Sequence, residues 1–168
     1  LGKENEGALV AYDLATGDPK WKWAGEGPGY TSPVLLSVGN HKMIVTQTSK
    51  RMVGIGVADG KLLWQAPSAV QGLPYNAATP IVDRQTVIYC GPGRGLKAVK
   101  IEPQGDNLAA KELWSNPDNA VQFNTPVLQG GQLYGISPKG DFFCLDEQTG
   151  KTLWTAPLGG KGDFASVV

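Results

Sequence analysis

One histidine, two cysteines and a scatter of carboxylates are all that this chain offers to a catalytic or metal-binding centre. His41 lies in Gly39-Asn40-His41-Lys42, a turn-like stretch in which an imidazole is expected to be solvated, so a Ser-His-Asp hydrolase is not indicated. Cys90 and Cys144 lie far apart within apolar runs and form no CxxC pair. They read as small buried hydrophobes, and no zinc site is expected. Asp18, Asp59, Asp106 and Asp146 fall at turns, without the convergence of several oxygen ligands that calcium prefers. The glycine-rich Gly91-Pro92-Gly93-Arg94-Gly95 lacks a GK[ST] ending and precedes a strand, so it reads as a hairpin turn and not a phosphate cradle. No catalytic residue and no metal ligand is therefore assigned.

The positions of these residues follow from a repeat. Asp13-Leu-Ala-Thr16-Gly17-Asp-Pro-Lys-Trp21 returns as Asp146-Glu-Gln-Thr149-Gly150-Lys-Thr-Leu-Trp154, with Ala58-Asp59-Gly60-Lys61-Leu-Leu-Trp64 and a stretched copy ending in Trp114 between them. A second phrase alternates with it, Ser32-Pro33, Thr79-Pro80 and Thr125-Pro126, its prolines stepping by 47 and then 46 residues. A unit of that length, built from short strands and glycine turns, predicts the blades of an all-β propeller. Complete four-stranded antiparallel blades are expected over 32–66, 78–115 and 124–156, with the outer half of another at 8–24 and the start of a further one at 164–168. The third phrase is expected to carry a longer loop from Pro103 to Leu108.

Composition agrees. Fifteen basic and fifteen acidic residues cancel, which argues against nucleic acid or an anionic membrane as partner. The 23 glycines and 12 prolines suit turn-dense β structure and disfavour helices. No apolar run approaches the roughly 20 residues of a membrane span.

Within each phrase Gly17, Gly60 and Gly150 supply the turn between the third and fourth strands, and Trp21, Trp64 and Trp154 follow four residues later. These tryptophans, with Trp114, are expected to dock one blade on the next. Burying about 150–250 Å² of ring at roughly 25 cal/mol per Å² gives an upper bound of about 4–6 kcal/mol each. Connections between blades and the hairpins between second and third strands emerge on one face of a propeller. Thr31, Asn76 and Asn124, with Tyr30, Tyr75, Gln122 and Phe123, come to the channel side of that face, and Arg51, Arg94 and Lys139 to the hairpin tips. Such a face is expected to take an anionic or polyhydroxylated ligand, or an acidic partner loop.

Ala11-x-Asp13-x-x-Thr16-Gly17-x-x-x-Trp21 resembles the tryptophan-docking motif of the PQQ-like β-propeller repeat. Cys144-x-Asp146-x-x-Thr149-Gly150-Lys151-x-x-Trp154 is similar with Cys for Ala, Gly54-x-Gly56-x-x-Asp59-Gly60 keeps the turn and Trp64, and Ala98-x-Lys100 with Trp114 brackets an insertion. That resemblance implies a periplasmic or secreted bacterial protein whose ring closes with seven or eight blades. The remaining blades would come from a longer chain or from further copies of this one. It further implies a non-catalytic scaffold or binding module, without a cofactor in this segment, similar in fold to the propeller lipoprotein of the outer-membrane barrel-assembly machinery. The alternative it leaves open is a quinoprotein alcohol or sugar dehydrogenase, which would bring PQQ and calcium with catalytic residues outside this chain. The adjacent Cys-Cys pair found in those enzymes does not occur in the sequence.

Overall fold

Most strands here are three to seven residues long, and many end where glycine or an Asp-led turn reverses the chain. The computed structural model describes residues 6–68, 76–91, 94–105, 107–160 and 167. Strands β1 (Ala8–Tyr12) and β2 (Pro19–Ala24) form a two-stranded sheet. The first complete blade contains β3 (Val34–Val38), β4 (His41–Gln47), β5 (Arg51–Gly56) and β6 (Leu62–Pro67). The second contains β7 (Ile81–Asp83), β8 (Thr86–Gly91), β9 (Gly95–Gln104) and β10 (Asn107–Asn116). In the third are β11 (Val127–Gln129), β12 (Gln132–Ile136), β13 (Asp141–Asp146) and β14 (Thr152–Pro157). Every pairing is antiparallel between consecutive strands, and the described residues contain no helix. The expected start of a further blade at 164–168 lies outside the described residues, Val167 excepted.

The innermost strands and one loop differ from the sequence reading. The innermost strands begin at Val34, Ile81 and Val127, so Pro33, Pro80 and Pro126 stand just before them. Proline has no N–H to give to a ladder, and it fixes the approach of the chain instead of joining the sheet. The loop expected from Pro103 to Leu108 is a hairpin, because Gln104 pairs with Asn107 and the ladder runs unbroken inward from there to Glu112.

The core lies between blades. Met43, Val45, Met52 and Trp64 of the first blade pack with Val87, Val99, Ile101 and Leu108 of the second. Leu96, Ala98 and Trp114 of the second pack with Leu133, Phe143 and Leu145 of the third. Strand β5 is consequently buried along most of its length, both of its faces being covered by side chains.

A bulge precedes every docking tryptophan. Ladder register shifts by one residue at Lys20, Leu63, Leu113 and Leu153, each of which lacks a partner on the adjoining strand. That extra residue re-aims the next side chain. Trp21, Trp64, Trp114 and Trp154 then sit opposite Ala11, Gly54, Ala98 and Cys144. At Gly54 the absence of a side chain has a steric cause. A Cβ on Gly54 would come within 2.0 Å of Trp64 Nε1.

Candidate functional site

The two rims of the blades do different work. On one rim lie the turns between third and fourth strands, and they are built alike. Gly17, Gly60 and Gly150 each donate N–H to the carbonyl four residues back, at 2.9 Å, and each takes a positive φ of 77°, 69° and 67°. Asp13 Oδ1 accepts from Ala15 and Thr16, and Asp146 Oδ1 accepts from Thr149 N (2.8 Å) and Thr149 Oγ1 (2.6 Å). The Lys20 ammonium together with those two amides holds the Asp13 carboxyl below its usual range, and the Thr149 bonds do the same for Asp146. In the middle copy Gly56 replaces that Asp, and Asp59 Oδ1 turns instead to Lys61 N at 3.1 Å.

Onto these turns the tryptophans of the preceding sheet fit. Trp21 Nε1 donates to Val57 O at 2.8 Å and its ring covers Gly60. Trp114 Nε1 donates to Glu147 O at 2.7 Å with its ring over Gly150, and Asn116 adds a 2.7 Å bond to Gly150 O. Trp64 behaves differently. It points its Nε1 to Met43 Sδ of its own blade at 3.0 Å, because the next blade presents the lengthened β9–β10 hairpin where the others present a Gly turn. Trp154 packs against Tyr134 and Phe142 of its own blade, 6.2 and 5.3 Å between ring centroids, and stays 41% exposed.

The opposite rim carries the residues expected to bind a ligand, and here two of the three expected cations, Arg51 and Arg94, are engaged with the protein itself. Arg51 pairs with buried Glu26, whose other oxygen accepts from Thr48 Oγ1 at 2.6 Å. Burial alone would push Glu26 up, but the Arg51 and Thr48 bonds outweigh it and hold the carboxyl below its ordinary value. Thr48 O accepts from Asn76 Nδ2 at 2.7 Å, and Asn76 Oδ1 accepts from the Arg94 guanidinium. Arg94 also donates to the carbonyl and, at 2.6 Å, to the hydroxyl of Ser68. Ser68 Oγ reaches Gln47 Oε1 at 3.0 Å, and Gln47 Nε2 donates to Ala78 O and Cys90 O, both at 3.2 Å. A continuous polar belt from Glu26 to Cys90 therefore ties the half-blade to the first and second blades.

The predicted residues thus separate. Arg51, Asn76 and Arg94 join the belt; Thr31 shares a 3.2 Å hydrogen bond with Thr46; Asn124 Nδ2 donates to Ile136 O at 3.0 Å while its buried Oδ1 has no partner among the described residues. Lys139 is exposed, on the edge of a cleft of about 620 Å³ that Asp118, Asn119, Ser137, Asp141 and Thr152 also line. Tyr75, Pro92 and Gly93 lie outside the described residues, although Arg94 N bonds Gly91 O at 3.1 Å as a hairpin turn requires. Sequence reasoning missed Glu26, Thr48, Gln47 and Ser68. Gln47 was discoverable, being an amide that ends the apolar alternation Met43, Val45. Both cysteines are buried and free, and burial pushes the Cys90 thiol up to about 12, so it stays protonated at neutral pH.

Arg94→Ala removes the donors to Asn76 Oδ1 and to Ser68, leaving the buried Asn76 Oδ1 and Ser68 carbonyl without that partner while Ser68 Oγ keeps Gln47. Urea unfolding should report a loss of roughly 2–3 kcal/mol. Arg94→Lys should recover only part of it, since an ammonium cannot reproduce the fork. A midpoint unchanged in Arg94→Ala would remove the belt from the stability argument.

Antiparallel four-stranded blades joined face to face through tryptophan and a shared apolar core define a β-propeller of the PQQ-like repeat class. Residues 3–156 match the family model described as outer membrane protein assembly factor BamB, and the chain belongs to that family. It is 22% identical over 162 residues to BamB from Shewanella oneidensis, covering 92% of this chain and 40% of that protein. The crystal structure of BamB from Moraxella catarrhalis superposes with a TM-score of 0.69 at 21% identity, covering 92% of this chain and 48% of that one. The designed protein Ika8 (TM-score 0.60, 13% identity, 96% and 46% covered) and the Cps50 (Swd1) β-propeller domain of Myceliophteria thermophila (0.61, 15%, 94% and 53%) share the fold. The chain thus spans about half the length of these proteins.

Proposed function

We propose that the chain is a non-catalytic propeller scaffold of the bacterial cell envelope, acting on the periplasmic side of the outer membrane and lending one rim of its blades to protein partners. The match of residues 3–156 to the BamB family carries this reading. The Shewanella oneidensis relative is, by its name, an outer membrane protein assembly factor, and the proposal extends that kind of duty to this chain. The polar belt supports it physically, since side chains locked to one another make a rigid platform that needs little ordering when a partner docks. The cleft beside Lys139 is one part of that rim open to a partner, and the one with an exposed cation on its edge. Because it combines Lys139 with Asp118 and Asp141, it suits a protein loop of mixed charge better than a small anion, which the two carboxylates would repel.

A photo-cross-linking residue at Lys139, in a Gram-negative host carrying the protein, should capture a component of outer-membrane barrel assembly. The same residue at Lys61, on the opposite rim, should capture far less. Equal yields at both positions, or dye-linked alcohol oxidation after loading with PQQ and calcium, would overturn the scaffold reading.

A further inference from the structure

We infer that the cleft between the second and third blades seats an arginine side chain presented by a partner protein, its guanidinium held by Asp118 and Asp141. That a protein supplies the arginine rests on the scaffold reading above; that the cleft selects one follows from the other two seams of this rim. Each of those is closed by a guanidinium from the hairpin between a blade's second and third strands. Arg51 reaches back to Glu26, and Arg94 reaches back to Ser68 and Asn76. In the third blade Asp141 stands where Arg51 stands in the first. Arg51 pairs with Pro67 and Asp141 with Pro157, each proline three residues past its blade's tryptophan. On the other bank Asp118 follows Trp114 by four residues, as Ser68 follows Trp64. The cleft thus has a carboxylate on each bank, where the half-blade and first blade meet through Glu26 and Arg51.

Neither carboxylate has an ion pair or a hydrogen-bond donor among the described residues. Backbone bonds hold both in place, Asp118 N donating to Asn116 Oδ1 at 3.1 Å and Asp141 N to Ser137 Oγ at 3.1 Å. Asn119 spends its Nδ2 on Asn116 Oδ1 at 3.3 Å and on Thr152 Oγ1 at 2.8 Å, which leaves its Oδ1 as a further acceptor. Ala120 and Pro138 offer apolar contact to a methylene stem. The volume of about 620 Å³ is ample for a guanidinium, its stem and the turn that carries it. Arginine suits the site better than lysine, because a planar fork of donors can bond carboxylates on two banks at once, whereas an ammonium is a point charge. Lys139, exposed at the edge, repels a strongly basic segment and so favours a single arginine with neutral or acidic neighbours. The cleft lies between two complete four-stranded blades.

Nα-acetyl-arginine amide, titrated into the isotope-labelled protein and followed by amide NMR shifts, tests the site. Saturable shifts are expected at Asn119, Lys139, Asp141 and Thr155. Nα-acetyl-glutamine amide, which carries no charge, should bind at least about ten-fold more weakly. Asp118→Asn combined with Asp141→Asn should weaken arginine binding by a similar factor while the rest of the spectrum stays native. Asp141→Arg should abolish it, since its own guanidinium then serves Asp118 as Arg51 serves Glu26, and should lower the capture of partners from a cross-linker at Lys139. No saturable shift at these residues, equal binding of the glutamine amide, or undiminished binding by the double Asn variant overturns the inference; the scaffold reading would still stand if Lys139 captured an assembly component. Saturable arginine binding without any such capture would support the chemistry of the cleft and remove the scaffold reading instead.

Discussion

Gly150→Val should lower the stability of the third blade's junction by about 3–5 kcal/mol, the largest effect expected of any single substitution outside the apolar core. Two costs add. A β-branched residue at φ +67° is strained by about 1–2 kcal/mol, and its side chain enters space that the Trp114 ring fills, 2.4 Å from the new Cβ. The ring must leave, losing its bond to Glu147 O and much of its burial. Gly39→Val separates the two terms. Gly39 has a φ of 55° with nothing within 4 Å of its Cβ, so only the backbone strain should appear. Because Gly150→Val acts by evicting Trp114, the double variant with Trp114→Ala should cost well under the sum of the singles. Urea unfolding followed by tryptophan fluorescence reads all four proteins, and additive losses would dismiss the eviction.

Glu26→Gln should cost roughly 2–3 kcal/mol at pH 7, somewhat less than the about 3–5 of a fully buried broken pair, because Arg51 remains a third exposed. The dependence on pH distinguishes an ionic role from a packing one. The folded protein holds this carboxyl below its ordinary 4.5, so the unfolded chain binds the proton more readily. The stabilisation from ionised Glu26 is then fully present above pH 4.5 and is lost as pH falls through the lower, folded value. The gap between wild type and Glu26→Gln should therefore close in acid. A gap that persists into strong acid would mean that shape, not charge, holds Glu26 in place.

Much of the fold was legible because the repeat writes it in side chains of unusual size: indole at one station, glycine four residues before it, proline ahead of each innermost strand. What escaped depends on distances between blades. The bulges at Lys20, Leu63, Leu113 and Leu153 leave no mark in composition, since any residue can be skipped by a ladder. Arg51 and Arg94 read as free hairpin cations because their partners, Glu26 and Asn76, come from other segments of the chain. Lys139 read the same way and is exposed; the sequence alone gave no means of telling these cases apart.

The irregular second blade bears on how the chain avoids tangling with itself. Repeats that share a docking tryptophan and a glycine turn invite mispairing during folding, because a tryptophan can settle on more than one matching turn. Strands β9 and β10 present no such turn, so neither Trp21 nor Trp114 can be captured there by mistake, and the buried Leu108 and Ile101 recognise the first blade by shape instead. One seam built to a different pattern thereby makes the order of the blades unique. A chain in which this hairpin were trimmed back to an Asp-Gly turn should fold into several shuffled arrangements where the natural one reaches a single state.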